Sequence, residues 1–258
     1  MRLDDVCIVN SDVTASDDFY REGVGLERRM RNVRFADFLP GTGPRLAMWL
    51  RPSIAETVGP SYPAAPGLPF RVTLALRDAA AVDAAAGRIA GAVRLPGTGA
   101  GAAPRAVVTD PDGFVTVLTA PGDPATGPGI TAVELAVSDV GRTADFLERM
   151  GFVRRGDASD SRVDFDGGDV LLAVLAASTV SPEAVGEPDT FTRSGGHLML
   201  AVELDSGERV DELHAELKAR GLVDSGPPAV YEWGARSSYF VDPDGYIWEI
   251  YAWVETPR

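Results

Sequence analysis

Tyr239-Phe240-Val241-Asp242-Pro243-Asp244-Gly245-Tyr246-Ile247-Trp248-Glu249 reads as two strands joined by one tight turn. Pro243 holds φ near about −65° and Gly245 accepts positive φ, so the chain reverses at 242–245 and a strand follows. The same turn stands earlier as Asp110-Pro111-Asp112-Gly113-Phe114, 132 residues before. Upstream of it, Asn10-Ser11-Asp12-Val13 matches Val137-Ser138-Asp139-Val140 at an offset of 127, with Phe19 on Phe146 and Phe38 on Phe165. The two offsets differ by a loop-sized insertion, which a surface connection tolerates. The chain is therefore a duplication, with halves over 1–120 and 130–258, and the Pro- and Gly-rich stretch 121–129 reads as the linker.

Within each half a smaller pattern repeats. Leu3 to Asn10 alternates as a strand, Thr14 or Ser16 can cap a helix running to about Glu22, and strands follow over 33–38 and 45–50. The next unit has a strand over 70–76, an alanine-rich helix over 79–90, a segment near 106–109 and a strand over 114–118. In the second half the strands fall at 131–137, 163–165, 170–175, 197–204, 237–241 and 246–253, and the helices at 141–150 and 208–220. Asp205 with Glu208 has the spacing of a capping box, Val210, Leu213 and Leu217 share a face, and Gly221 stops the helix. The class is α+β, built from four βαβββ-type units.

Bulk properties narrow the function. A net charge of −14 opposes nucleic acid and anionic membrane surfaces, and no apolar run reaches the roughly 20 residues needed to span a bilayer. The single cysteine, Cys7, cannot form an internal disulfide and reads as a small core residue, and the start Met1-Arg2-Leu3-Asp4-Asp5 does not have the pattern of a signal peptide. A cytoplasmic monomer or homodimer acting on a small molecule is expected. Arg28, Arg29, Arg31 and Arg34 read either as a receptor for an anionic group or as a solvated strand and loop.

The helix exits Gly25-Leu26 and Gly151-Phe152, together with the two Asp-Pro-Asp-Gly strands, make the chain similar to the vicinal oxygen chelate superfamily. Glyoxalase I, extradiol dioxygenases and bleomycin-binding proteins are members. The resemblance implies paired units whose curved mixed sheets enclose a cavity, and, in catalytic members, one divalent metal such as Mn, Mg, Fe or Zn. The positions it implies for ligands are Asp5, Phe70 and Val117 in the first half and Ala132, His197 and Glu249 in the second. Phe70 and Val117 have no donor atoms. If each half closes its own cavity, Ala132 stands with His197 and Glu249; if the first unit pairs with the fourth, Asp5 does. The fourth glyoxalase I position falls on Met48 or Trp49, which leaves that enzyme's full ligand set incomplete, and the only other histidine, His214, lies within a helix.

Alternation places Glu249 on an inner strand face with Ile247 and Tyr251, and a buried carboxylate requires a partner or a task. Glu249 and His197 are accordingly the candidate catalytic pair, and also candidate metal ligands with Asp5. Tyr251, Trp49, Trp233 and Tyr239 are candidate cavity walls, and Arg236 a candidate clamp for a carboxylate or enolate oxygen. Two functional readings stay open. One is lyase, isomerase or cyclase chemistry by acid–base catalysis, with or without a metal; the other is metal-free binding or sequestration of a small molecule. Extradiol-type ring cleavage ranks below both, because a two-His site would have to draw on His214.

Overall fold

The computed structural model describes residues 1–65, 67–95, 104–121, 127–180, 188–193 and 197–255. The first half contains β1 (Asp5–Asn10), α1 (Val13–Asp18), β2 (Arg28–Arg31), β3 (Phe35–Phe38), β4 (Arg45–Leu50) and α2 (Arg51–Val58). It continues with β5 (Phe70–Ala75), α3 (Ala79–Arg88), β6 (Val93–Leu95), β7 (Arg105–Thr109) and β8 (Val115–Thr119). The second half runs β9 (Gly129–Val137), α4 (Val140–Met150), β10 (Val153–Ser159), β11 (Arg162–Asp166) and β12 (Leu171–Ala176). It ends with β13 (His197–Glu203), α5 (Gly207–Ala219), β14 (Ala229–Val230), β15 (Ala235–Val241) and β16 (Ile247–Trp253). Most of the proposed linker lies outside the described residues, and Gly129 already belongs to β9.

Two eight-stranded mixed sheets result, in the orders β14-β15-β16-β13-β1-β4-β3-β2 and β10-β11-β12-β9-β5-β8-β7-β6. The first sheet joins the first unit to the fourth through the antiparallel pair β1–β13, with Asp5 opposite Ala201 and Val9 opposite His197. The second joins units two and three through β5–β9. Each half thus contributes one unit to each sheet. Ala132 pairs with Thr73 in the second sheet, so it is Asp5, in the first, that shares a sheet with His197 and Glu249.

The repeated turns fasten the sheets together. Ser11, after β1, donates its N–H and hydroxyl to Asp112 of the first Asp-Pro-Asp-Gly turn, which opens β8 in the other sheet. Ser138, after β9, makes the same two bonds to Asp244, at the turn that opens β16. The turns share their geometry: Gly113 has φ +88° and Gly245 φ +89°, where a Cβ would be strained, and Asp110 and Asp242 each accept two backbone N–H bonds. Tyr246 adds a further tie, its hydroxyl 2.8 Å from the Ala136 carbonyl of β9.

Helices α1, α3, α4 and α5 cover one face of the sheets and share a continuous apolar core. Trp248 is fully buried there, edge-on to Phe146 and Phe152. Two caps differ from expectation. Asp12, extended at φ −144°, caps α1 by accepting from the N–H groups of Thr14 and Ala15, because a carboxylate one position outside the helix meets the open amides and the positive dipole end. Thr14 and Ser16 lie inside the helix. Ser206 rather than Asp205 caps α5, accepting from Arg209.

Candidate functional site

On the opposite face of the first sheet, alternation aligns one row of side chains across five strands. Tyr239, Glu249, Ala201, Asp5 and Arg45 are consecutive register partners. Two residues along lie Asp37, Ala47, Cys7, Met199 and Ile247, and two further lie Phe35, Trp49, Val9 and His197. Helix α2 seats Ile54 and Val58, both fully buried, on the lower part of this face, with Val9, Cys7 and Met199 beneath. Burying two such side chains stabilises the chain by about 3–6 kcal/mol and leaves the upper part of the face open.

That opening is a cavity of about 320 Å³, at the small end of ligand pockets. Asp5, Arg45, Glu249 and Tyr251 form its floor; Phe35, Trp49 and Trp233 form its walls; the β2–β3 turn from Met30 to Arg34 borders its mouth. Trp49 meets Trp233 edge to face at 5.5 Å, Tyr231 stacks on Trp233 at 4.6 Å, and Phe35 meets Trp49 edge to face at 6.1 Å. The Trp49 indole N–H is held by Ser53 of α2 at 3.0 Å.

The floor is a carboxyl cluster around one guanidinium. Arg45 donates to Asp4 at 2.5 Å and to the Tyr251 hydroxyl at 2.8 Å, and lies 3.5 Å from Asp5 and from Asp37. Tyr251 in turn donates to Asp4. Burial pushes the Asp5 carboxyl up to about 7, against the opposing pull of Arg45 and with help from Asp4, Asp37 and Glu249. Burial also raises Glu249, outweighing the stabilising bond that Tyr239 donates to it at 2.8 Å.

The predicted site residues divide accordingly. Glu249, Asp5, Tyr251, Trp49 and Trp233 line the cavity, and Tyr239 sits behind Glu249 as its hydrogen-bond donor. His197 does not line it: it is buried four residues along β13 from the Glu249 row, about 13 Å away along the strands, packed edge-on to Tyr62. Burial lowers its pKa, as does the nearby Arg51. Arg236 is not a cavity clamp. Alternation turns it to the helix side, where it pairs with Asp211 of α5 at 2.7 Å. Arg28 and Arg31 are held by the fully buried Asp17, and Arg29 by Asp37, so these three are structural partners of buried acids. His214 bridges Ser238 and Asp224 beneath α5, within the protein. Cys7 is buried in the row below Asp5.

The metal set Asp5, His197 and Glu249 does not fit an ion. Only two of the three face the cavity, Arg45 already supplies the cation beside Asp5, and among the described residues no three of His, Cys, Asp and Glu gather as ligands. Sequence reasoning missed Arg45 and Phe35. Their signal was alternation with Trp49, which places Arg45, Ala47 and Trp49 on one face of β4.

The corresponding face of the second sheet is crossed by Arg71, Glu134, Arg162 and Asp164, joined in one ion-pair network. The segment Asp189–Arg193 lies over it, with Phe191 on the Arg71 guanidinium at 4.6 Å and Thr192 bridged to Phe70.

Two curved mixed sheets, each joining paired units, with a cavity on the concave side, define a glyoxalase-like protein. The model of the Glyoxalase/Bleomycin resistance protein/Dioxygenase superfamily matches residues 129–250, and the chain belongs to that superfamily. A putative dioxygenase from Bacillus subtilis is similar across 99% of this chain and 86% of its own, at 14% identity and TM-score 0.65. A glyoxalase I mutant from Zea mays is similar across 97% and 92%, at 19% identity and TM-score 0.61. A glyoxalase/bleomycin resistance protein/dioxygenase from Nocardioides is 33% identical over 51% of this chain and 87% of its own, at TM-score 0.41. Comparison with curated proteins finds no match. No helix among the described residues is long and apolar enough to cross a membrane.

Proposed function

We propose that the protein binds a small planar aromatic molecule, without a metal, in the cavity between its first and fourth units. The observation that carries this reading is the wall formed by Phe35, Trp49 and Trp233, the last backed by the stacked Tyr231, over a floor of carboxyl groups. Aromatic walls bind a flat ring by stacking and edge contacts worth about 0.5–1.5 kcal/mol each beyond area burial, while the polar floor orients it. Small-molecule binding of this kind suits a cytoplasmic protein that works alone or as a homodimer, and the acidic chain favours neither nucleic acid nor membrane surfaces.

A second reading has its own support. Asp5 and Glu249 stand in one row with Ala201 between them, both with raised pKa, which suits proton exchange with a ligand near neutral pH. In that reading Glu249 removes a proton beside a carbonyl and Asp5 returns one, giving isomerase, lyase or cyclase chemistry.

Calorimetric titration of the protein with bicyclic aromatic probes tests the first reading. Saturable binding that Trp49→Ala and Trp233→Ala each weaken is expected; binding unchanged in both variants would refute it. Incubation of a bound carbonyl compound in D₂O separates the second reading: exchange at the carbon next to the carbonyl, lost in Glu249→Gln while binding persists, identifies catalysis.

A further inference from the structure

The cavity floor is short of cations. Asp4, Asp5, Asp37, Glu203 and Glu249 converge on it, and the guanidinium groups paired with them are Arg45 and Arg29. Arg45 divides itself among Asp4, Asp5 and Asp37, and Arg29 is spent on Asp37. Glu249 is served by a neutral phenol, Tyr239, while Glu203 has Tyr251 at 3.4 Å, whose single hydroxyl hydrogen goes to Asp4. One oxygen remains over. The Oδ1 atom of Asp5, on a residue only 5% exposed, has no hydrogen-bond partner among the described residues, and Asp5 lines the cavity.

A buried acceptor left unpaired costs about 1–3 kcal/mol, so the site gains most from a ligand that brings a donor to that atom. A second carboxylate across Ala201 makes a charged donor better than a neutral one, because each carboxylate that stays ionised in this setting requires compensation. The walls agree: the aromatic rings of Phe35, Trp49 and Trp233 that line the cavity attract a cation through their ring quadrupoles. At the floor an anionic ligand would meet Asp5 and Glu249 with Arg45 already committed to the carboxylates beside it, while Arg34 stands at the mouth of the cavity. Of the converging carboxylates only Asp5 and Glu249 line the cavity, two ligands where a metal ion needs at least three.

We propose that the ligand is an aromatic amine, its ring packed against the cavity side of the Trp49–Trp233 pair and its protonated nitrogen donating to Asp5 Oδ1 and to Glu249. This rests on the aromatic-binding reading above and adds to it the charge and position of the polar group. The amine forms ion pairs and hydrogen bonds with the floor, and no covalent step is involved. Arg45 keeps Asp5 oriented through their 3.5 Å contact, and Tyr239 keeps Glu249 oriented through its 2.8 Å bond, so the two acceptors are arranged before the ligand arrives.

Isothermal titration calorimetry at pH 8 with tryptamine, tryptophol and indole-3-acetate tests this, because the three share a ring and carry charges of about +1, 0 and −1. A naphthalene set, 1-naphthylmethylamine, 1-naphthalenemethanol and 1-naphthoate, is run in parallel to remove dependence on one ring shape. In at least one set the amine is expected to bind about tenfold or more tighter than the alcohol, with the carboxylate weakest. Asp5→Asn and Glu249→Gln are expected to narrow the amine-to-alcohol ratio. An alcohol or carboxylate that binds as tightly as its amine in both sets overturns the charge assignment and leaves the aromatic cavity standing. Failure of all six probes to saturate at millimolar concentration overturns both.

Discussion

Removing Asp244 tests whether the duplicated turns hold the two sheets together. Its side chain is 4% exposed and takes the Ser138 hydroxyl at 2.6 Å and the Ser138 N–H at 3.2 Å, with the Thr143 hydroxyl at 3.5 Å and Arg142 at 3.6 Å. A hydrogen bond to a buried charged acceptor contributes about 1.5–3 kcal/mol, and the half-exposed Arg142 adds at most about 1. Asp244→Ala is therefore expected to cost about 2–3 kcal/mol, read as a lower urea midpoint at unchanged m-value and as a fall in Tm of about 4–10 °C. Asp112→Ala removes the equivalent tie to Ser11, which among the described bonds has no counterpart to the Thr143 and Arg142 contacts, and is expected to cost about 1 kcal/mol. A double-mutant cycle of Ser138→Ala with Asp244→Ala should show a coupling near 1 kcal/mol. A cost below about 0.5 kcal/mol for Asp244→Ala, or a coupling within the roughly 0.3 kcal/mol of independent sites, would refute the argument.

Three further outcomes follow from buried charge. Glu134→Ala leaves Arg71 and Arg162 facing each other in the second sheet and is expected to cost about 3 kcal/mol in urea unfolding, with Glu134→Gln costing less; equal small losses would show the network to be idle. Asp5, held near 7 by burial, binds its proton more tightly folded than unfolded, so the stability it brings is present at low pH and lost as pH rises toward and through 7. Asp5→Asn should therefore gain on the wild type by on the order of 3 kcal/mol between pH 5 and pH 8, and parallel stability profiles would contradict this. His214 has the opposite sign: burial lowers its pKa, ahead of the raising effect of Asp224, so its contribution is present above the unfolded value and declines as pH falls below it. His214→Gln should flatten the loss of stability between pH 7 and pH 5, measured by the same unfolding titration.

The strands that sequence alternation located are the inner ones. β1, β4, β5, β8, β9, β12, β13 and β16 each bury an apolar face, and their residues report it. The strands it passed over are β2, β6, β10 and β14, one in each unit, all at or next to a sheet edge. Arg28–Arg31 and Val153–Ser159 are exposed at every position, so no period-two pattern of burial marks them. Helix α2 was hidden for a different reason. Arg51-Pro52-Ser53-Ile54-Ala55-Glu56-Thr57-Val58 carries only two buried apolar residues and a proline, which sits where a helix start tolerates it.

Local chemistry by itself determined the duplication, the four units, the Asp-Pro-Asp-Gly turns and the inward direction of Glu249, because turn residues and strand alternation act within a few positions of the chain. It also marked Trp49, Trp233 and Tyr251 as wall material. Which unit meets which was decided only by the tertiary structure, since β1 could pair with β5 or with β13 without any change in its own pattern. That one pairing brings Asp5 to Glu249, sets His197 two rows away, and draws Arg45 into the carboxyl cluster. The edge of a strand carries no address for its partner; long-range packing assigns it, and the chemistry of the cavity follows from that assignment.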